Sequence, residues 1–253
     1  MSNHAAKDSI YATPIADIGG FVFDQQVADV FPDMLERSVP GYQSVIAQSG
    51  LLAEKFAVEN TVCYDLGCSL GATLMAMRHG LAGCPCELVG VDSSEAMIGR
   101  CRQIMDEDSA RAREAGVELA AATLLCDDIC NIHFDATSVV ALNFTLQFVA
   151  PEARQALLTR IAAATVEGGV LILSEKIAFT DPVLNDLFID RYHAFKRANG
   201  YSDLEISQKR NALENVLIPD TMETHRQRLL DAGYSRCSVW FQCFNFVSLI
   251  AIK

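Results

Sequence analysis

The chain has 253 residues, which suffices for one large domain with a sizeable core. Hydrophobic residues make up 51% of it and charged residues 21%, a balance typical of folded globular proteins and not of disordered ones. The formal net charge of −12 argues against a protein that grips nucleic acid, because phosphate binding needs a basic face, and it favours a small-molecule substrate.

Residues 1–60 are predicted to form a helical extension packed on the core. Within it, Val27–Ser38 carries apolar residues at helical spacing, and Pro32 is expected to divide this segment into two short helices. Tyr42–Ala57 is a second amphipathic stretch, which predicts a further helix.

From residue 61 the pattern alternates between short apolar strands and amphipathic helices. The predicted strands are Val62–Leu66, Leu88–Val91, Leu119–Leu125, Val139–Phe144 and Val170–Ser174. The predicted helices are Ala72–His79, Ala96–Met105 and Glu152–Thr165, with a loop over Asp106–Glu118 and a break at Gly168-Gly169. This alternation predicts right-handed βαβ crossovers and therefore a doubly wound, mostly parallel sheet of the α/β class.

The segment after the fifth strand departs from this alternation. Asp181 and Pro182 form an N-cap and N1 pair that opens a helix reaching Ala198. Leu204–Asn215 predicts another helix, so residues 181–215 are interpreted as a helical insertion.

The C-terminal part is predicted to return to the sheet. Asp220 and Glu223 resemble a capping box at the start of a helix that ends at Gly233. Ser238–Phe246 and Ser248–Ile252 are expected to form an antiparallel hairpin, which completes a seven-stranded sheet. Residues 61–253 are thus predicted to form one α/β domain, with the extension packed on it.

The nine cysteines contain no CxxC pair that would complete a zinc site. Cys63, Cys126 and Cys243 lie in apolar strand-like segments, where a thiol serves as a small hydrophobic group. No apolar run approaches the ~20 residues of a membrane span, and Met1–Tyr11 lacks a secretory signal. We therefore expect a cytoplasmic protein with reduced thiols, no metal and no membrane contact.

The most informative cluster is DLGCSLG, from Asp65 to Gly71. A strand that leads into a glycine turn lets the backbone approach a ligand where a Cβ would collide, and in open α/β sheets ligands bind outside the carboxyl ends of the strands. The pattern is not GxGxxG, so a dinucleotide pyrophosphate is disfavoured. The alternative is an ordinary strand–helix turn.

Polar residues also end the next three predicted strands. Asp92 can accept hydrogen bonds from both ribose hydroxyls, although it could instead cap the following helix. Asp128 and Ile129 offer a polar and an apolar contact to an adenine edge, and Asn143 ends the fourth strand. Together with the glycine turn, this order is typical of class I S-adenosylmethionine-dependent methyltransferases, which have a Rossmann-like fold.

Several longer stretches resemble the carboxy-S-adenosyl-L-methionine synthase family. They are FPDM at 31–34, RSVPGY at 37–42, YDLGCSLG at 64–71, LNFTLQF at 142–148, FKRANGYS at 195–202, LEISQKR at 204–210 and WFQCFNF at 240–246. The resemblance extends from about Pro14 to the C-terminus. One departure is DDIC at 127–130, where the family pattern more usually has GDIR.

This resemblance implies an enzyme that converts S-adenosylmethionine and prephenate into carboxy-S-adenosylmethionine and phenylpyruvate. The product would then serve a partner enzyme that carboxymethylates the wobble uridine of tRNA, and homodimers are typical of the family. The family positions that hold the nucleoside correspond to Tyr42, Gly67, Cys68, Ser69, Asp92, Ser93, Asp128, Ile129 and Asn143. The position that holds the product carboxylate corresponds to Arg210, acting in its own subunit or in a neighbour's.

From the residues alone, other interpretations stay open. Arg210 could form a solvated salt bridge, Tyr42 could be a packing residue, and His193 with its basic neighbours could hold prephenate or form a surface cluster. Cys68 is not expected to be a nucleophile, but its place at a helix N-terminus could lower its pKa. No general base stands out. The rival functions are an ordinary small-molecule methyltransferase and a non-catalytic nucleoside-binding subunit of a tRNA-modifying enzyme.

Overall fold

A computed structural model describes residues 6–253, so residues 1–5 of the predicted extension lie outside the described part. Its centre is a sheet with helices on both faces. The strands are β1 (Val62–Leu66), β2 (Glu87–Asp92), β3 (Ala122–Cys126), β4 (Thr137–Asn143), β5 (Thr165–Ala178), β6 (Asp220–Thr221), β7 (Arg236–Cys243) and β8 (Phe246–Ile252). The helices are α1 (Gln25–Ser38), α2 (Tyr42–Phe56), α3 (Ala72–Gly80), α4 (Glu95–Glu114), α5 (Pro151–Ala164), α6 (Pro182–Ala198), α7 (Asp203–Leu213) and α8 (Met222–Ala232).

The strand order is β3-β2-β1-β4-β5-β8-β7, and the two-residue strand β6 pairs with β5. The pairs among β1 to β5 are parallel, whereas β8 is antiparallel to both β5 and β7. The doubly wound, mostly parallel α/β fold is therefore confirmed. The expected count of seven strands was one short for the described residues, because β6 is too brief to leave a pattern in the sequence.

The central strands β1, β4, β5 and β8 are largely buried on both faces, which explains their continuous apolar residues, whereas β3 and β7 are partly exposed. On β5, Val170 and Ile172 pack with α2 and α3, while Leu171 and Leu173 pack with α5 and α8. Since side chains alternate along a strand, Ser174 continues the first face and Glu175 the second. At the carboxyl end of β5, successive side chains therefore point to opposite faces of the sheet, next to the site described below.

The direction of winding changes between β1 and β4. The chain proceeds from β1 to β2 and β3 on one side, and then returns to place β4 on the other side of β1. In open α/β sheets the crevice at such a switch point, outside the carboxyl ends of the strands, is where ligands bind.

Helix α1 is continuous from Gln25 to Ser38, so the prediction that Pro32 would divide it was wrong. A proline inside a helix removes one backbone hydrogen bond and costs about 3 kcal/mol. Here the apolar face of α1, which includes the buried Val27, Phe31 and Met34, packs in its own core cluster. Burial of each such side chain contributes roughly 1.5–3 kcal/mol, which outweighs the lost bond.

Two further element predictions were wrong in extent. Helix α4 continues to Glu114 through the predicted loop, because Asp108 pairs with Arg78 and His79 of α3 and holds the extra turns in place. Strand β5 begins at Thr165 and passes through Gly168-Gly169, where the ladder to β4 shifts register instead of ending.

The start of α8 also differs from the predicted capping box. Thr221 is the N-cap, and its hydroxyl accepts a hydrogen bond from the backbone N–H of Thr224 at 3.1 Å. Asp220 instead forms ion pairs with Arg154 at 2.6 Å and Arg228 at 2.7 Å. A buried arginine needs a carboxylate partner, and this need takes Asp220 away from the helix end.

Residues 6–23 form an irregular segment, here called the N-terminal strap, that precedes α1. Asp8 is buried and accepts a hydrogen bond from the Tyr201 hydroxyl at 2.5 Å. The Gln208 side chain donates to two strap carbonyls at 2.9 Å each, and the Phe21 N–H donates to the carbonyl of Ala212. The strap is thereby fixed along α7. No helix in the described part of the chain is long and apolar enough to cross a membrane.

Candidate functional site

A cavity of about 500 Å³ lies at the carboxyl edge of the sheet, over the switch point between β1 and β4. Its volume is in the range of small-molecule and cofactor sites. Nine predicted nucleoside-binding residues line it: Tyr42, Gly67, Cys68, Ser69, Asp92, Ser93, Asp128, Ile129 and Asn143. One cavity therefore brings together the predicted residue of α2 and the predicted residues at the ends of β1, β2, β3 and β4.

The turn after β1 requires glycine at its first position. Gly67 has a φ of +77°, and an added Cβ would lie 2.3 Å from the Thr145 hydroxyl oxygen. The backbone N–H groups of Gly67 and Cys68 both donate to the carbonyl of Val91 on β2. Glycine is therefore required here by its positive φ and by the close approach of Thr145, and the turn lies on the cavity wall.

Asp92 connects this turn to helix α4. One carboxylate oxygen accepts from the Ser69 N–H at 2.9 Å and the other from the Ser94 N–H at 2.9 Å. Ser94, and not Asp92, is the N-cap of α4, because its hydroxyl accepts from the Met97 N–H. Each carboxylate oxygen of Asp92 keeps a further lone pair, so the group can still accept two hydroxyls from a ligand.

Burial raises the pKa of Asp92, while its two backbone hydrogen bonds act in the opposite direction. The neighbouring Asp65, on β1, is fully buried, and burial together with the charge of Asp92 raises its pKa to about 7. Burial and the charge of Asp65 in turn raise the pKa of Tyr42. Asp92 thus lines the cavity, and a second carboxyl group, that of Asp65, is buried beside it without lining the cavity; sequence reasoning assigned only Asp92.

Asp128 and Ile129 follow β3, as predicted. The Asp128 carboxylate accepts from the Cys130 N–H at 2.8 Å and is exposed, whereas Ile129 is buried. This arrangement offers one polar and one apolar group on the same side of the cavity.

Asn143 lines the cavity, but its side-chain amide is engaged elsewhere. Its Nδ2 donates to the Ser49 hydroxyl at 3.1 Å and to the Thr73 hydroxyl at 3.0 Å, and its Oδ1 accepts from the Ser174 hydroxyl at 2.7 Å. These bonds use both amide protons. Asn143 therefore joins β4 to α2, α3 and β5 and shapes the wall at this point.

The thiol of Cys68 does not follow the expected direction. A side-chain hydrogen bond with Cys101, burial and nearby carboxylates all raise its pKa, so the suggestion that the helix N-terminus could lower it was wrong. All nine cysteines are free thiols. Cys63 is buried as predicted for a small hydrophobic group, but Cys126 is exposed because β3 is an edge strand. The residues described contain no cluster of His, Cys, Asp and Glu side chains that could hold a metal ion.

The other half of the cavity is lined by aromatic rings, of which sequence reasoning assigned only Tyr42. The rings of Tyr42 and Phe144 are 6.4 Å apart, those of Phe144 and Phe246 are 6.0 Å apart, and those of Phe246 and Tyr192 are 5.0 Å apart. This aromatic wall runs from α2 across β4 and β8 to α6. Phe21 and Phe23 of the N-terminal strap line the same cavity.

Two lysines line this half as well. Lys176 lies at the carboxyl end of β5, and Lys209 lies on α7. Lys176 could have been found from the sequence by the reasoning used for Asp92, if β5 had been extended beyond Ser174.

Arg210 is the one predicted site residue that does not line this cavity. Successive residues on a helix point about 100° apart, so the buried Lys209 and the exposed Arg210 face different sides of α7. Arg210 does lie near His193: burial lowers the pKa of His193, and the charges of Lys196, Lys176 and Arg210 lower it further. His193 and its basic neighbours therefore form a cationic cluster with Arg210 beside the cavity.

The fold and the cavity define a class I S-adenosylmethionine-dependent methyltransferase-like protein. In agreement, residues 63–169 match a family described as a methyltransferase domain. Among solved structures, the magnesium protoporphyrin IX methyltransferase of Synechocystis, with bound S-adenosylmethionine, has a TM-score of 0.53 and 17% identity, and the match covers 92% of this chain and 86% of that one.

Curated relatives are much more similar. The carboxy-S-adenosyl-L-methionine synthase of Trichlorobacter lovleyi is 52% identical over 97% of this chain and 98% of that protein. The protein of the same name from Photorhabdus laumondii is 50% identical over 100% of this chain and 98% of that protein. The chain belongs to the carboxy-S-adenosyl-L-methionine synthase family of enzymes.

Proposed function

We propose that this enzyme converts S-adenosylmethionine and prephenate into carboxy-S-adenosylmethionine and phenylpyruvate. The observation that carries the proposal is one cavity with two kinds of wall: the strand ends that predict a nucleoside site, and a set of aromatic rings with two lysines. A nucleoside and a second, anionic substrate can therefore lie in one enclosure. Membership of the synthase family supports the choice of reaction.

The chemistry follows from the sulfonium charge. The positive sulfur acidifies its methyl group, and prephenate releases carbon dioxide and hydroxide as its ring becomes aromatic. The hydroxide takes the methyl proton and leaves as water, and the deprotonated carbon forms its new bond to carbon dioxide. The atoms and charges of these reaction steps balance without a protein base. The steps require that both substrates be held in contact and that bulk water be excluded.

The aromatic wall suits that demand. The rings of Phe144, Tyr192 and Phe246 give one side of the cavity an apolar surface on which a cyclic substrate can lie. Water has few partners there, so released carbon dioxide would remain beside the methyl carbon until it is captured.

The product carboxylate requires a cation, and we propose that Arg210 supplies it to the cavity of a second copy of the chain. Arg210 is exposed and lies off its own cavity. The adjacent helix α6 carries exposed apolar residues, Val183 at 75%, Leu184 at 44% and Leu187 at 49% exposure, which a homodimer would cover. A guanidinium binds a carboxylate through two parallel hydrogen bonds, which fixes its orientation.

The product is proposed to supply a separate cytoplasmic enzyme that carboxymethylates the wobble uridine of tRNA. The net charge of −12 supports a division of labour in which this chain makes the donor and does not itself grip RNA.

The decisive experiment incubates the purified protein with S-adenosylmethionine and prephenate. We expect a nucleoside heavier than S-adenosylmethionine by the mass of carbon dioxide, together with phenylpyruvate, in mass spectrometry and ultraviolet absorbance. Methyl transfer to an added acceptor without this product would favour the ordinary methyltransferase. Nucleoside binding without any turnover would favour the non-catalytic subunit.

The role of Arg210 is tested by Arg210→Ala, with the exposed Arg102→Ala on α4 as a matched control. Formation of carboxylated product is expected to fall by tenfold or more, while the dissociation constant of S-adenosylmethionine changes by less than about threefold. Equal losses in both quantities would mean that Arg210 is structural.

A mixing experiment decides which copy Arg210 serves. Arg210→Ala and Asp92→Ala chains, each of low activity alone at a limiting concentration of S-adenosylmethionine, are mixed under conditions that exchange subunits. If Arg210 acts in the neighbouring site, hybrid dimers contain one intact site and activity returns to about one quarter of the wild-type value. No recovery, with exchange verified by tagged subunits, would assign Arg210 to its own chain.

A further inference from the structure

Lys176 is placed on the cavity wall by the ladder of the sheet. Its neighbour two residues back, Ser174, pairs in register with Asn143 at the end of β4, so Lys176 extends past that edge on the same face. Its backbone N–H donates to the Gln147 side-chain oxygen at 3.1 Å, and its register partner on β8 is Phe246. Its position is therefore held by the backbone and does not depend on a flexible loop.

The ammonium group of Lys176 has no anionic partner in the described part of the chain. None of the ion pairs formed by residues 6–253 includes it, and its nitrogen lies 5.0 Å from the centroid of the Tyr192 ring. Burial lowers its pKa. A cation in such a place is poorly compensated, and an anion that enters the cavity would stabilise it.

The other lysines near this point differ from Lys176. The ammonium of Lys209 lies 3.8 Å from the buried carboxylate of Asp8, so its charge already has a counterion. Lys196 lies over Tyr192 at 5.1 Å and Tyr201 at 5.8 Å and does not line the cavity. Lys176 is therefore the lysine of this group that combines a place on the cavity wall with a charge that no carboxylate balances.

The surroundings favour an anion with an apolar ring. Lys176, Lys196, His193 and Arg210 are close enough for their charges to interact, and they create a local positive potential in a chain whose net charge is −12. Beside them the rings of Tyr192 and Phe246 present an apolar face. A small carboxylic acid with a cyclic body matches both features.

We propose that Lys176, backed by the ring of Tyr192, forms an ion pair with a carboxylate of the second substrate and so determines which organic acid the enzyme accepts. This inference rests on the proposed function for the identity of that substrate. In this arrangement Lys176 binds the acid that donates carbon dioxide, whereas Arg210 binds the carboxylate that is formed on the nucleoside.

The test compares Lys176→Met, which keeps the length of the side chain without its charge, with the matched control Lys55→Met at the exposed end of α2. We expect the KM for prephenate to rise by tenfold or more in Lys176→Met, with the dissociation constant of S-adenosylmethionine changed by less than twofold. Lys176→Arg should recover part of the lost affinity. An unchanged KM for prephenate in a folded Lys176→Met protein would overturn the proposal.

Binding without turnover separates this proposal from the proposed function. Prephenate is titrated calorimetrically into wild-type and Lys176→Met proteins saturated with S-adenosylhomocysteine, which has no methyl group to react, and thermal unfolding verifies that both are folded. Binding that is tenfold weaker in the variant supports the subsite even if the wild type forms no carboxylated product. Equal binding, or the absence of binding to the wild type, refutes the subsite, whereas absent turnover alone refutes only the proposed function.

Discussion

Replacement of Asp92 by alanine tests the nucleoside half of the cavity most directly. The Asp92 carboxylate uses one lone pair of each oxygen on the N–H groups of Ser69 and Ser94, which leaves two for ribose hydroxyls. A hydrogen bond to a charged group contributes about 1.5–3 kcal/mol. Since 1.4 kcal/mol corresponds to tenfold in affinity, loss of even one such bond predicts at least a tenfold rise in the dissociation constant of S-adenosylmethionine.

The assay is isothermal titration of S-adenosylmethionine into Asp92→Ala, with two variants beside it. Asp92→Asn keeps one acceptor oxygen and should bind with intermediate affinity. Glu95→Gln removes a carboxylate from the exposed first turn of the same helix and should bind like the wild type. Binding by Asp92→Ala within twofold of wild type, or an equal loss in Glu95→Gln, would refute the ribose assignment.

Three further outcomes are expected. Burial raises the pKa of Asp65 from 3.8 to about 7, so ionisation of this group destabilises the fold as pH rises through that window. In urea titrations, the unfolding free energy of the wild type minus that of Asp65→Asn should therefore fall by on the order of a few kcal/mol between pH 4 and 7. A difference that does not depend on pH would contradict this. Arg154→Met removes a fully buried arginine that donates to the carbonyls of Val149 and Gln147, and it should lower the unfolding free energy by about 1–3 kcal/mol even though Arg228 still pairs with Asp220. An unchanged unfolding free energy in urea titrations would contradict this. Gly67→Ala would place a Cβ 2.3 Å from the Thr145 hydroxyl oxygen, and it should weaken nucleoside binding. The control is Gly116→Ala, where φ is also positive but an added Cβ meets nothing within 4 Å, and nucleoside binding should not change. Equal binding by both variants would show that the turn after β1 can adjust.

Sequence reasoning brought together the strand-end residues that line one side of the cavity, because their placement depends on topology. Parallel strands place their carboxyl ends at one edge, so a polar residue after each predicted strand must share that edge with the glycine turn. The bounds of β1, Val62–Leu66, agree residue by residue with the prediction. Ile129 follows from the same logic, whereas Ser93 was implied by the family resemblance; both residues line the cavity.

The remaining features depend on contacts between distant segments, which a local pattern does not contain. Helix α4 gains its last turns from the pairing of Asp108 with α3, and α1 keeps its Pro32 because its apolar face is buried. The aromatic wall takes its rings from α2, β4, β8 and α6, and the side of α7 that faces the cavity was set by packing, which selected Lys209 over Arg210.

The N-terminal strap links the wall of the cavity to a buried carboxylate. Phe21 and Phe23 line the cavity, while Asp8, bound by Tyr201 and Lys209, holds the strap to α7. Loss of the Asp8 carboxylate would therefore alter the cavity from a distance, since it would free the segment that carries two of the lining rings.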